Sequence, residues 1–187
     1  MKGRPIDGAI YIRPVGEIDD GILQWLRSDL RDYLEIPVKT MGALAIPEAS
    51  FLRPRNQYHS TVILKEILGA VPPDALKVLG LIDRDLCIPI LTFVFGEAQL
   101  GGTASLVSLA RLRQEFYGLP PEPSLFRERL YKECLHELGH NFGLIHCQTR
   151  ECVMYLSNTV MDVDRKERTY CRDCDVAMLS KLETGRT

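Results

Sequence analysis

At 187 residues the chain can bury one full hydrophobic core but not two comfortable ones, so a single domain spanning 1–187 is expected. Hydrophobic residues make up 45% and charged residues 26%, which excludes wholesale disorder. The 23 Lys+Arg against 25 Asp+Glu leave a formal charge of -2, so no overall basic field draws the protein to nucleic acid or to an anionic membrane.

The first residues carry Lys2, Arg4 and Asp7 without the apolar run of ~7 to 15 residues that an export signal needs, so a cytoplasmic location is expected. Residues 8–14 (GAIYIRP) read as a strand. Asp19 and Asp20 then open a helix whose apolar positions Ile22, Leu23, Leu26, Leu30 and Leu34 recur at helical spacing. A second strand is expected over 36–41, then a loop over 47–56 and a helix over 60–68 that Gly69 stops. Residues 76–82 are nearly all apolar, as a strand buried on both faces should be. Two more strands are expected over 91–95 and 104–112, joined through a polar, Gly-containing hairpin at 96–103. The longest apolar run, 86–95, is broken by Pro89 and falls short of the ~20 residues of a membrane span, so no membrane association is expected. Pro120, Pro121 and Pro123 exclude a helix interior, and Ser124 is the expected N-cap of a helix running to Phe142. The remaining ~40 residues are charged and short of apolar runs, so burial alone is not expected to close a core there.

That last long helix carries the chemistry. Residues 136–146 read HELGHNFGLIH and hold three of the protein's four histidines. His136 and His140, four positions apart, lie about 40° from each other on one helical face, so both imidazoles can reach one ion. Glu137 sits one residue further round, placed to take a proton from a zinc-bound water without entering the coordination shell. Gly143 can adopt positive φ, which lets the helix stop and the chain turn back to present His146. Three neutral nitrogens plus one water make the open tetrahedral site of a catalytic zinc, and such an ion both acidifies the water and polarises a carbonyl. Amide hydrolysis with Glu137 as general base is the natural reaction.

Cys147 follows His146 directly, and Cys152, Cys171 and Cys174 complete a C-x4-C and C-x2-C pair of pairs. Paired thiols separated by a loop are how a chain wraps a four-thiolate zinc, with disulfides as the competing reading. Cys87 and Cys134 are expected to be buried as small apolar residues. The stretch 162–168 (DVDRKER) reads as a solvated loop that lets Cys171 fold back. On these grounds two Zn2+ ions are expected, one catalytic and one structural.

The run HELGHNFGLIH, followed at once by Cys147, then Cys152, Met154 and the CRDC at 171–174, resembles the archaemetzincin family of metzincin-like zinc proteases. FVFGEAQLGG and SLVSLARL, ahead of the helix, resemble it more weakly. The resemblance implies an α/β (α+β zincin-type) fold: a twisted mixed sheet packed on helices including the HExxH helix, with a small zinc-stapled C-terminal subdomain. Residues 1–143 would form the upper subdomain and 144–187 the lower. It also implies that His136, His140 and His146 are zinc ligands, Glu137 the base, and Met154 a methionine beneath the site, although a methionine alone reads as core filling. An antiparallel edge strand near 93–100 would bind substrate by main-chain pairing. Tyr155 follows Met154 at once instead of two positions later, a departure from many metzincins that leaves a tyrosine ligand or oxyanion donor open. The expected partner is a peptide or protein substrate. A non-catalytic zinc protein binding peptides or nucleic acid, and a zinc hydrolase of another amide or ester, are the competing functions. An aminopeptidase would need an acid for the substrate's α-amine, for which Asp83, Asp85 and Glu97 are candidates, and endopeptidase action stays equally open.

Overall fold

The computed structural model describes residues 8–184; the reading of the first seven residues as lacking an export signal lies outside them. The chain opens with strand β1 (Ala9–Val15) and helix α1 (Asp20–Leu34). Asp19 caps that helix, its carboxylate accepting from the Ile22 N–H, and the apolar positions read from the sequence are the buried ones. Strand β2 (Val38–Thr40) returns parallel to β1. Two short strands, β3 (Phe51–Leu52) and β4 (Gln57–His59), lead into helix α2 (Ser60–Leu68), which ends at Gly69 as expected. Strand β5 (Ala75–Ile82) then pairs parallel with β1 along its whole length.

After β5, strand β6 (Leu86–Cys87) joins β3 and β4 in a small second sheet. Strands β7 (Gly96–Ala98) and β8 (Ala104–Ser108) complete the main sheet, whose order is β2-β1-β5-β8-β7. All its neighbours are parallel except β7, which runs antiparallel to β8 at the open edge. Helix α3 (Pro123–Asn141) follows, then α4 (Val160–Arg165) and α5 (Arg172–Thr184).

Alternation along the strands divides the core into two layers. Ile10, Ile12, Leu79, Leu81 and Val107 face α1 and α3, whereas Val15, Val78, Ile82 and Leu106 face α2. Among the described residues no helix is long and apolar enough to cross a membrane.

Three expectations need correction. Residues 91–95 are not a strand: the Arg55 guanidinium donates to the carbonyls of Ile88, Leu91 and Thr92 and holds this stretch as a looped wall, with only Val94 bridging Leu86. The antiparallel edge strand is β7, within the 93–100 stretch expected to hold it, although that stretch also read as a hairpin connection. Ser124 is not the N-cap of α3; Pro123 takes the first helical position, and the Ser124 hydroxyl donates to Glu122. The stretch 162–168 is not a solvated loop, since it contains the end of α4 and Lys166, only 2% exposed. The C-terminal segment adds to a core begun elsewhere: Val153, Met154, Val163, Tyr170 and Met178 are buried in the layer that α3 already anchors. A segment too polar to close its own core can still extend a neighbour's.

Candidate metal centre

The helix that bears the histidines is unusual in what it buries. Arg129, Lys132, Glu133, His136 and Glu137 are all buried on α3 beside the apolar Leu130, Cys134, Leu135 and Leu138. Buried polar groups need partners, and the 160–166 segment supplies them for Arg129, Lys132 and Glu133. Arg129 makes a two-pronged ion pair with Asp164 at 2.6 and 2.7 Å, and Lys132 donates to the carbonyls of Val163 and Asp164.

After Asn141 the chain turns at Gly143, whose φ of +91° is the left-handed conformation its sequence position called for. The turn returns His146 to the helix, so that its ring centroid lies 4.8 Å from that of His140 and 5.3 Å from that of His136. One ligand nitrogen from each of the three histidines falls within 4.8 Å of the others.

Hydrogen bonding fixes which nitrogens those are. Nδ1 of His136 lies 2.8 Å from the Val153 carbonyl, and Nδ1 of His140 lies 2.8 Å from the Leu144 carbonyl. A carbonyl oxygen only accepts, so both Nδ1 atoms carry the proton and both Nε2 atoms present a lone pair. These two Nε2 atoms stand 3.1 Å apart. Two lone pairs at that separation repel unless a cation lies between them, and ~3.3 Å is the spacing of two nitrogens on one tetrahedral zinc. The donor set therefore fits a zinc ion. Burial, followed by the Lys166 ammonium and the His140 ring, holds His136 well below its ordinary value, and burial likewise lowers His140 and His146. All three rings are thus kept neutral, as ligands must be.

Glu137 lines the same cleft and is 5% exposed. Burial raises its carboxyl well above the usual carboxylate range, with Glu133 and Glu97 adding to the shift and Lys166 opposing it. Its side chain lies against Gly96 of β7, where an ideal Cβ would come within 2.6 Å of Oε1. Met154 is fully buried against Gly139, between the two helical histidines, where no Cβ would fit beside its sulfur.

Much of the remaining cleft lining is apolar, contributed by Leu91, Phe93, Phe95, Leu100, Ile145 and Leu156. None of the three acids proposed for an α-amine is idle. Asp85 is paired with Arg111 at 2.6 Å, Asp83 with Arg113 at 3.2 Å, and Glu97 accepts from the Ser60 and Thr61 hydroxyls at the start of α2.

The second cluster lies next door. The Sγ atoms of Cys147, Cys152, Cys171 and Cys174 fall within 4.8 Å of one another, and Cys147 and Cys171 are 3.8 Å apart. All six cysteines are free thiols, so the disulfide reading does not hold. The separation matches the ~3.8 Å expected for two sulfurs on one tetrahedral zinc. The backbone N–H of Cys174 leads the neighbouring thiols in pulling Cys171 down to about 7, toward the thiolate a metal requires. Cys87 and Cys134 are fully buried, as expected.

The sequence reading passed over Glu133 and Lys166. Glu133 carried a usable signal, standing four residues before Glu137 on the same helix face. Lys166 carried none, because its burial depends on how α4 docks.

Residues 50–181 match Peptidase family M54. The archaemetzincin of Methanocaldococcus jannaschii is 42% identical over 174 residues, covering 93% of this chain and 92% of its own length. Among solved structures, the archaemetzincin of Methanopyrus kandleri superposes with a TM-score of 0.85 at 35% identity, over 98% of this chain and 99% of that one. That of Archaeoglobus fulgidus, complexed with malonate, gives 0.79 at 36% identity, over 90% and 99%. The α/β architecture with its mixed sheet is shared with these structures.

Proposed function

Because the chain belongs to peptidase family M54, the archaemetzincins, and is a zinc metalloprotease, we propose that His136, His140 and His146 hold its catalytic zinc and Glu137 is its general base. Cys147, Cys152, Cys171 and Cys174 hold a second, structural zinc. Residues 1–143 and 144–187 act as upper and lower subdomains on either side of the cleft, Gly143 makes the turn between them, and Met154 supports the site from the lower one.

The observation that carries this reading is the facing pair of Nε2 lone pairs, 3.1 Å apart, with both Nδ1 protons committed to backbone carbonyls. Zinc bound there would acidify a water and polarise the carbonyl under attack. The chain's own residues do the rest. As the open edge of the sheet, β7 offers its main chain to an extended peptide, which lays the scissile bond over Glu137. The apolar lining of the cleft offers contact surface to the side chains of the substrate. Glu137 takes a proton from the attacking water and hands it to the departing amine nitrogen.

The test is a peptide-library digest read by mass spectrometry. Wild-type protein should cleave peptide bonds and lose the activity to a chelator. Glu137→Gln should keep its zinc while turnover falls by ~10² to 10⁴. Unchanged turnover in zinc-loaded Glu137→Gln would refute the assignment.

A further inference from the structure

Two buried charges stand beside the metal centre with no place in that mechanism. The Lys166 side chain is fully buried just past the end of α4, and its Nζ donates to Oε1 of Glu133 at 3.1 Å. Glu133 is itself 3% exposed and lines the cleft one turn ahead of Glu137. The same Nζ lies 3.5 Å from Nδ1 of His136. That nitrogen already donates to Val153, so it offers the ammonium no lone pair, and their approach sets one donor against another. Glu133 is thus the group that offsets the lysine.

A buried ammonium one imidazole away from a site built for a dication is electrostatically wrong on its own. With little water between them, repulsion between the two cations is poorly screened. Yet the lysine has a mechanical use, since it extends the grip of the 160–166 segment on α3 up to Glu133, one turn before the first histidine. We propose that Glu133 is a positioning residue that balances charge: by pairing with Lys166, it lets a buried cation tie the end of α4 to α3 beside His136 without weakening the hold of the three histidines on their ion. This rests on the metal assignment made above.

The experiment measures zinc affinity of the full chain by chelator competition, counting as the histidine site the fraction that His140→Ala loses. Glu133→Gln leaves the ammonium uncompensated and should weaken that site about tenfold or more. Lys166→Met removes the opposing charge and should bind at least as tightly as wild type. The double variant Glu133→Gln, Lys166→Met should return to within about threefold of wild type. Thermal unfolding of each metal-free variant reports stability separately. A merely structural tie would weaken zinc binding in both single variants alike, and that result, or wild-type affinity in Glu133→Gln, overturns the proposal. Should Glu133→Gln not fold, Glu133→Asp, which keeps the charge, must hold zinc within about threefold of wild type, and a larger loss overturns it equally. If His140→Ala loses no zinc at all, the metal assignment itself has failed, which is a distinguishable outcome.

Discussion

A missing methyl group decides whether Glu137 can stand where it does. An ideal Cβ at Gly96 would lie 2.6 Å from Oε1 and 2.7 Å from Cγ of Glu137, so the carboxylate would have to move from its buried position. Gly96→Ala should leave zinc content and melting temperature near wild type while lowering kcat about 10²-fold, since displacing a catalytic group by ~1 Å costs that much. Steady-state kinetics beside a thermal melt will check it, and a wild-type kcat would show that Glu137 tolerates displacement. Residues of this kind were illegible in the sequence. HExxH could be read because four-residue spacing fixes geometry within one helix, and Gly143 because a helix stop is local. Gly96 and Gly139 are small on account of Glu137 and Met154, partners that only the tertiary fold brings near them.

Elements place these residues, and the clearest case is the grip of the β7–β8 turn on the end of α3. Gly101 N–H donates to the His140 carbonyl at 2.8 Å, and the fully buried Asn141 donates to the carbonyls of Gln99 and Ala104. Lys77 adds bonds to the carbonyls of Gly102 and Asn141, a cation at a helix C-terminus. The distance from edge strand to histidine helix is therefore set by polar bonds as well as packing. On the far side, Cys147 N–H donates to the Met154 carbonyl at 2.9 Å, so the cysteine cluster and the methionine turn are joined immediately after His146. A metal gripping Cys147 fixes the backbone that presents the third imidazole. Cys171→Ser should accordingly weaken zinc retention at the histidines as well as at the thiols. Native mass spectrometry during metal titration measures both sites, and one full-affinity zinc at the histidines in that variant would disprove the coupling. Strands β1, β2 and β5 and helices α1 and α2 were legible from their apolar pattern and turn signals, whereas the short β3 and β4 lie in or beside the 47–56 stretch read as a loop. Residues 91–95 and 162–168 were misread because their form follows from Arg55 and from the buried charges of α3, which no local pattern reveals.

For the molecule as a whole, the arrangement predicts how zinc responds to acid. All three imidazoles sit below their ordinary value, chiefly through burial. A protonated ring cannot bind metal, and a lowered value means that more acid is needed to protonate it. Zinc at the histidines should thus be retained at any pH above about 6.5, the ordinary histidine value, and be lost progressively below it. Metal content after dialysis at stepped pH gives the curve; release beginning well above neutrality would mean that the rings are not held neutral. More direct still is X-ray absorption at the zinc edge on the metal-replete protein. Two zinc environments are expected: one with three imidazole nitrogens at ~2.0 to 2.1 Å and a fourth ligand from solvent, the other with four sulfurs at ~2.3 Å. A histidine site that takes up no zinc, or one whose fourth position is filled by a protein side chain, would contradict that expectation.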